Sequence, residues 1–236
     1  MGIKNEATKK YVRRPDIFAD IANYYLFGGE QRIHPEELQE KDITELVMAY
    51  NDISKVVSKE KLRDVIKSCT MKTANGYDIL IIGVENQSDI HYAMPVKNLV
   101  YDAINYTSQA DAISQRHKKA KDLTGDEFLS HFSKEDKLIP IVTITVYYGI
   151  KKWDAPRSLH EMFACQDLGI LKYVDNYHLN LIIPEEIQDF GSFHTQFGQV
   201  MEFISASASK EKMQKILENQ KYQCMERDAV SVLEAC

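Results

Sequence analysis

The chain has 236 residues, with 29 Lys and Arg against 35 Asp and Glu and a formal net charge of −6. Hydrophobic residues make up 44% and charged residues 27%, which fits a globular chain with one sizeable core. It excludes a surface coated with positive charge, though not a local basic groove. No apolar run approaches the ~20 residues needed to span a bilayer. The stretch "MGIKNEATKKYVRRP" lacks the apolar centre of a signal peptide. The expectation is a cytoplasmic protein with no membrane partner. The cysteines, Cys69, Cys165, Cys224 and Cys236, form no CxxC pair, so a zinc ribbon is not expected and free thiols are.

Pro15 suits a first helical turn, and "PDIFADIANYYLF" follows, with Gly28-Gly29 as a stop. Ile17, Phe18, Ile21, Tyr24 and Tyr25 share one face of that helix. Asp16, Asp20 and Asn23 share another, where solvated surface is the plain expectation. "HPEELQEKDITEL" reads as a loop with a short turn, followed by a small apolar cluster, "ELVMAY". "KVVSKEKLRDVIKSCTMK" reads as the beginning of a sheet. Asn75-Gly76 signals a hairpin, so the segments around Asp64 and from Asp78 should be antiparallel neighbours.

"YDILIIGVENQS" reads as a buried strand that ends in polar residues. The next segment carries Val96, Leu99, Val100, Ala103, Ile104, Ala110 and Ile113 at helical spacing, with Pro95 at its start. Arg116, His117, Lys118, Lys119 and Lys121 close that helix with a basic cluster. Val96 and Leu99 are expected to face the core, which leaves Lys97 at its edge. "KLIPIVTITVYYG" reads as a β-branched strand. "RSLHEMF" offers a capping box between Ser158 and Glu161, and Trp153-Asp154 a turn that packs an aromatic ring. "NYHLNLIIP" reads as a strand closed by Pro184, and the chain from Glu185 onward as helix. The order of elements predicts an α/β protein, a mixed central sheet flanked by helices. Residues 1–184 are expected to form the core with its N-terminal helix, and residues 185–236 a helical extension packed on the same domain.

Chemistry is sought first at the end of the Tyr77–Ser88 strand. Glu85 and Gln87 point to one face, because side chains alternate along a strand. A buried carboxylate there needs a partner or a cation. Asp64 lies across the hairpin, and two converging carboxylates suit a hard cation such as Mg²⁺ or Mn²⁺. The plainer alternative makes Glu85 and Gln87 ordinary strand-exit residues and pairs Asp64 with Lys67. No HxxxH, GxxxxGK[ST] or GxSxG pattern offers a competing chemistry.

An aspartate, a hairpin and an apolar strand ending in Glu-x-Gln resemble the core of PD-(D/E)XK nucleases. More narrowly, "VENQSDIHYAMPVKNLVYDAINY" resembles the characteristic segment of the Rpn family, recombination-promoting nucleases also described as transposases. "LRDVIKSC" before it and "VTITVYYGIKKWDAPRSLHEMF" after it are similar to that family too. The resemblance implies a restriction-endonuclease-like core and Mg²⁺- or Mn²⁺-dependent cleavage of DNA, and it allows a homodimer. By position it implies Asp64 and Glu85 as metal ligands and Gln87 where lysine is common, with Lys97 the nearest residue to compensate. Asp20 of the first helix would be a further acid near the metal. Lys9, Lys10, Arg13, Arg14 and the Arg116–Lys121 cluster are the expected phosphate contacts, or else solvated surface. The alternative function is a nuclease-fold module that binds DNA or a protein without cutting.

Overall fold

The computed structural model describes residues 3–41, 64–73 and 76–235. The "ELVMAY" cluster, the "KVVSKEKLR" part of the expected sheet segment and Asn75 of the hairpin signal lie outside the described residues. Helix α1 spans Ile3–Arg13 and α2 spans Pro15–Phe27. The expectation for α2 holds to its ends. Pro15 opens it, and Gly28 closes it at φ 62, a left-handed conformation that favours glycine, with its N–H on the Asn23 carbonyl. Helix α1 was not expected from its polar sequence. It forms because Tyr11 and Val12 are wholly buried at its C-terminal end and because its cations find acids on distant elements, such as Lys10 on Asp228 at 2.9 Å.

A short 3₁₀ turn at Pro35–Glu37 leads into β1 (Leu38–Glu40), where the sequence reads only as loop. Strand β2 (Val65–Thr73) and β3 (Gly76–Gln87) form the expected antiparallel hairpin, with Val65 opposite Val84 and Thr73 opposite Gly76. The pairing is unbroken, so a long hairpin accounts for the spacing between Asp64 and Glu85. Helix α3 (Met94–Ala120) then carries the chain to β4 (Ile141–Tyr147), with a small helix α4 (Gly125–Ser130) between them. A short helix α5 (Leu168–Leu171) precedes β5 (Asn180–Ile182). Among the described residues the strands make one five-stranded mixed sheet, β1-β2-β3-β4-β5. β2 runs antiparallel to both β1 and β3, and β3, β4 and β5 run parallel.

The stretch from Glu185 to Gln196 is not the continuous helix expected. It holds two 3₁₀ turns, Pro184–Glu186 and Phe190–Ser192, before α6 (Phe197–Ser207), α7 (Lys210–Glu218) and α8 (Arg227–Ala235). One apolar core joins Phe18 and Ile21 of α2, Ile82 and Val84 of β3, Ile144 and Val146 of β4, Phe197 and Met201 of α6, and Val232 of α8. Each such side chain contributes roughly 1.5–3 kcal/mol on burial.

The opposite face of the sheet is covered by α3, and here the expectation is reversed. Val96, Leu99 and Val100 are 40%, 36% and 37% exposed, whereas Asn98, Tyr101, Asp102 and Asn105 are buried. The cause lies on β4, whose Thr143 and Thr145 point at the helix. Asn98 Nδ2 donates to Thr145 Oγ1 at 2.9 Å, and Thr143 Oγ1 donates to Asp102 Oδ1 at 2.6 Å. Tyr177 supplies a second hydroxyl to Asp102 Oδ2 at 2.7 Å. Polar partners on the sheet outweigh the apolar periodicity of the helix, because a buried polar group without a partner is costly.

Candidate active site

Strand β3 delivers Glu85 and Gln87 to the α3 side of the sheet, as alternation requires. Glu85 is 4% exposed. Its Oε1 accepts from Lys97 Nζ at 2.5 Å and from Gln87 Nε2 at 3.1 Å. Three residues of the expected set therefore meet on one oxygen. Lys97 occupies the first turn of α3, where the helix dipole disfavours a cation. The Glu85 carboxylate compensates for that placement. Lys97 Nζ also lies 5.9 Å from the Tyr101 ring centre, one turn on.

Asp64 immediately precedes β2 and is 5% exposed. Its carboxylate is held by Asn86, the residue between Glu85 and Gln87. Asp64 Oδ2 accepts from the Asn86 backbone N–H at 3.0 Å and from Asn86 Nδ2 at 3.2 Å. Asp64 Oδ1 faces Lys9 Nζ of α1 at 3.5 Å. The pairing with Lys67 does not form; Lys67 Nζ donates instead to the Arg13 carbonyl at 2.7 Å. Burial pushes the pKa of Lys67 down, partly countered by Glu40.

Asp20 stands elsewhere. It is 1% exposed, and its two oxygens accept from the backbone N–H groups of His194 and Thr195 at 2.9 Å each and from the Thr195 hydroxyl at 2.5 Å. Asp20 is thus not solvated surface, and the structure fastens it to the turn before α6 rather than to Asp64 or Glu85. Asn23, from the same face of α2, is wholly buried and holds the backbone of Ile33.

Among the described residues no three His, Cys, Asp or Glu side chains group as metal ligands. What the strand ends do supply is oxygen: the two carboxylates and the amide of Asn86, whose buried Oδ1 has no hydrogen-bond partner among the described residues. All-oxygen donors of this type fit Mg²⁺ or Mn²⁺.

Loops complete the rim. The N–H of Tyr148, just after β4, donates to the Gln87 carbonyl at 2.8 Å, and Tyr92 donates to Asp154 at 2.9 Å, so the segments after β3 and β4 meet. His91 lies between Gln87 and α3, and its Nδ1 accepts from the Ala93 N–H at 3.2 Å. Loss of hydration, then the charge of Lys97, lower its pKa, which favours neutral imidazole.

The expected phosphate contacts divide. Lys9 faces Asp64, Lys10 pairs with Asp228, Arg13 with Glu40 at 3.0 Å, and Arg14 with Asp16 and Glu226. Arg116 and His117 are engaged by Asp136. Lys118, Lys119 and Lys121 are exposed. The sequence offered Asn86 no role and Lys9 only that of a phosphate contact or solvated surface. Alternation gave a usable signal for Asn86, which points away from Glu85 and toward α1. No sequence signal joined Lys9 to Asp64. No family model, curated protein or solved structure matches the chain.

Proposed function

We propose that the chain is a metal-dependent endonuclease with a restriction-endonuclease-like core, hydrolysing phosphodiester bonds in DNA. One observation carries the reading: Glu85, Gln87 and Lys97 converge on a single buried carboxylate oxygen at the end of β3, beside the Asp64–Asn86 pair. This is the chemistry that the resemblance to the Rpn family implies for a Glu-x-Gln site. Glu85 and Asp64 would hold Mg²⁺ or Mn²⁺, and such a cation polarises the phosphate and lowers the pKa of water. Gln87 orients water by hydrogen bonds but brings no charge. Lys97 supplies the missing positive charge and stabilises the anion that develops on the phosphate. Lys118, Lys119 and Lys121 are the exposed cations best suited to backbone phosphates, through contacts that weaken with salt.

A second reading is a DNA- or protein-binding module without cleavage. It is favoured by the ion pairs that already neutralise Glu85 and Asp64 and by the lack of a three-ligand group among the described residues. Incubation of the purified chain with supercoiled plasmid separates the two. Cleavage with Mg²⁺ or Mn²⁺ that stops in chelator is expected. Retained DNA with no cleavage under either metal supports the module, and cleavage that persists in chelator overturns the metal site.

A further inference from the structure

Two lysines from helices on different sides of the chain's central strands reach the two strand-end acids. Lys97 of α3 lies on Glu85 and Lys9 of α1 on Asp64, at 2.5 and 3.5 Å. The acids are buried, with side chains 5% and 7% exposed, while the lysines keep 25% and 31% of theirs exposed. Each pair is therefore an inner carboxylate covered by an outer ammonium on a flexible stem. A carboxylate buried to this extent requires neutralisation. Lys97 accepts an unfavourable helix position to provide it.

We infer that Lys9 and Lys97 are stand-ins for the cation: they neutralise the site in the metal-free protein and swing outward when a divalent ion takes the carboxylates. The inference rests on the metal-holding role proposed above and deepens it. It assigns Lys9, otherwise a surface lysine, as a positioning residue that acts through Asp64. It also gives both ammonium groups a second task. Once displaced, they remain tethered at the rim, where a phosphate anion can replace the lost carboxylate.

A stand-in and a structural ion pair differ in their effect on metal binding. A stand-in competes with the metal, so apparent affinity is reduced by the fraction of time the pair is closed. Deleting the ammonium should tighten metal binding even as it harms catalysis. The test is calorimetric titration of the full chain with Mn²⁺ at fixed ionic strength. Lys97→Met and Lys9→Met should each bind Mn²⁺ about three- to tenfold more tightly than wild type, the range expected for a pair closed most of the time. Lys10→Met removes the same charge one residue from Lys9, from a lysine that pairs with Asp228. It should change affinity by less than about twofold, which separates competition from long-range charge. Thermal unfolding in the same buffers checks that each variant is folded. Lys9→Met keeps the test decisive if Lys97→Met unfolds, because the Asp64 carboxylate retains its Asn86 donors. Mn²⁺ affinity that is unchanged or weaker in both folded variants overturns the stand-in role while leaving the metal site intact. Absence of Mn²⁺ binding in wild type and variants alike overturns the metal site itself, and the stand-in role with it.

Discussion

On the α2 side of the sheet, Ile82, Val84, Ile144 and Val146 meet Phe18, Phe197 and Met201. On the α3 side, Thr143 and Thr145 meet Asp102 and Asn98. The first contact is non-directional and stabilises in proportion to apolar area. The second works only in one orientation, because each hydroxyl and amide must find its partner. The difference explains where the candidate site sits. Lys97 adjoins Asn98 in α3, so the Asn98–Thr145 hydrogen bond fixes the rotation of the helix that aims Lys97 at Glu85. An apolar interface would hold α3 as firmly but would specify that rotation less sharply.

The largest effect should come from the α3 side and appear in activity. Glu85→Ala removes the acceptor shared by Lys97 and Gln87, and plasmid cleavage with Mg²⁺ should fall to background while circular dichroism stays native. Wild-type cleavage by this variant would remove Glu85 from the chemistry. The apolar side should respond in stability instead. Phe18, wholly buried, should cost about 3–5 kcal/mol when changed to Ala, measured by urea unfolding.

A paired substitution sharpens the contrast. Asn98→Ala alone leaves the Thr145 hydroxyl without its donor and should cost about 1–3 kcal/mol. Asn98→Leu with Thr145→Val removes both polar groups, and its stability should return to within about 1 kcal/mol of wild type. If hydrogen bonding sets the helix rotation, this stable double variant should still cleave DNA more slowly than wild type. Unchanged cleavage would show that the apolar contacts suffice to aim Lys97.

The contrast between the two faces also decides what could be read from sequence. Helix α2 was legible because its burial is apolar, so Ile17, Phe18 and Ile21 mark the inner face and Pro15 and Gly28 the ends. Helix α3 was legible in extent but not in orientation. Its apolar spacing marks Val96, Leu99 and Val100, which are exposed, and conceals Asn98 and Asp102, whose partners lie over 40 residues away. The β2–β3 hairpin was legible from Asn75-Gly76 and the isoleucine run. At the site, the shared face of Glu85 and Gln87 followed from strand alternation. The holding of Asp64 by Asn86 and Lys9 did not, since both contacts depend on tertiary placement. Asp20 misled for a related reason: an acid on a helix reads as surface or ligand, and nothing local announces the His194–Thr195 turn it caps.

The smallest effect lies at the far end of α3 and concerns pH. His117 is clasped from both sides, with Nδ1 2.7 Å from Asp122 and Nε2 2.9 Å from Asp136. Arg116 also pairs with Asp136, whose oxygen accepts from the Ser133 N–H. Only the imidazolium can donate from both ring nitrogens, so this geometry favours the protonated ring. The hydrogen bond to Asp122, then that to Asp136, raises the His117 pKa above its ordinary value. A raised folded-state pKa contributes stability that is fully present below the unfolded value of about 6.5 and is lost as pH rises through the folded value. The carboxylates act in the opposite sense. The His117 bond holds the Asp122 pKa down, and the Ser133 N–H followed by His117 does so for Asp136. Their contribution is present above the usual carboxylate range and lost as pH falls through the lowered values. The clasp should therefore be strongest from mildly acidic to near-neutral pH. Differential scanning fluorimetry of wild type and His117→Gln should show the largest gap in midpoint near pH 6, narrowing toward pH 9. A gap that widens with rising pH would mean that the neutral ring, not the imidazolium, holds the loop.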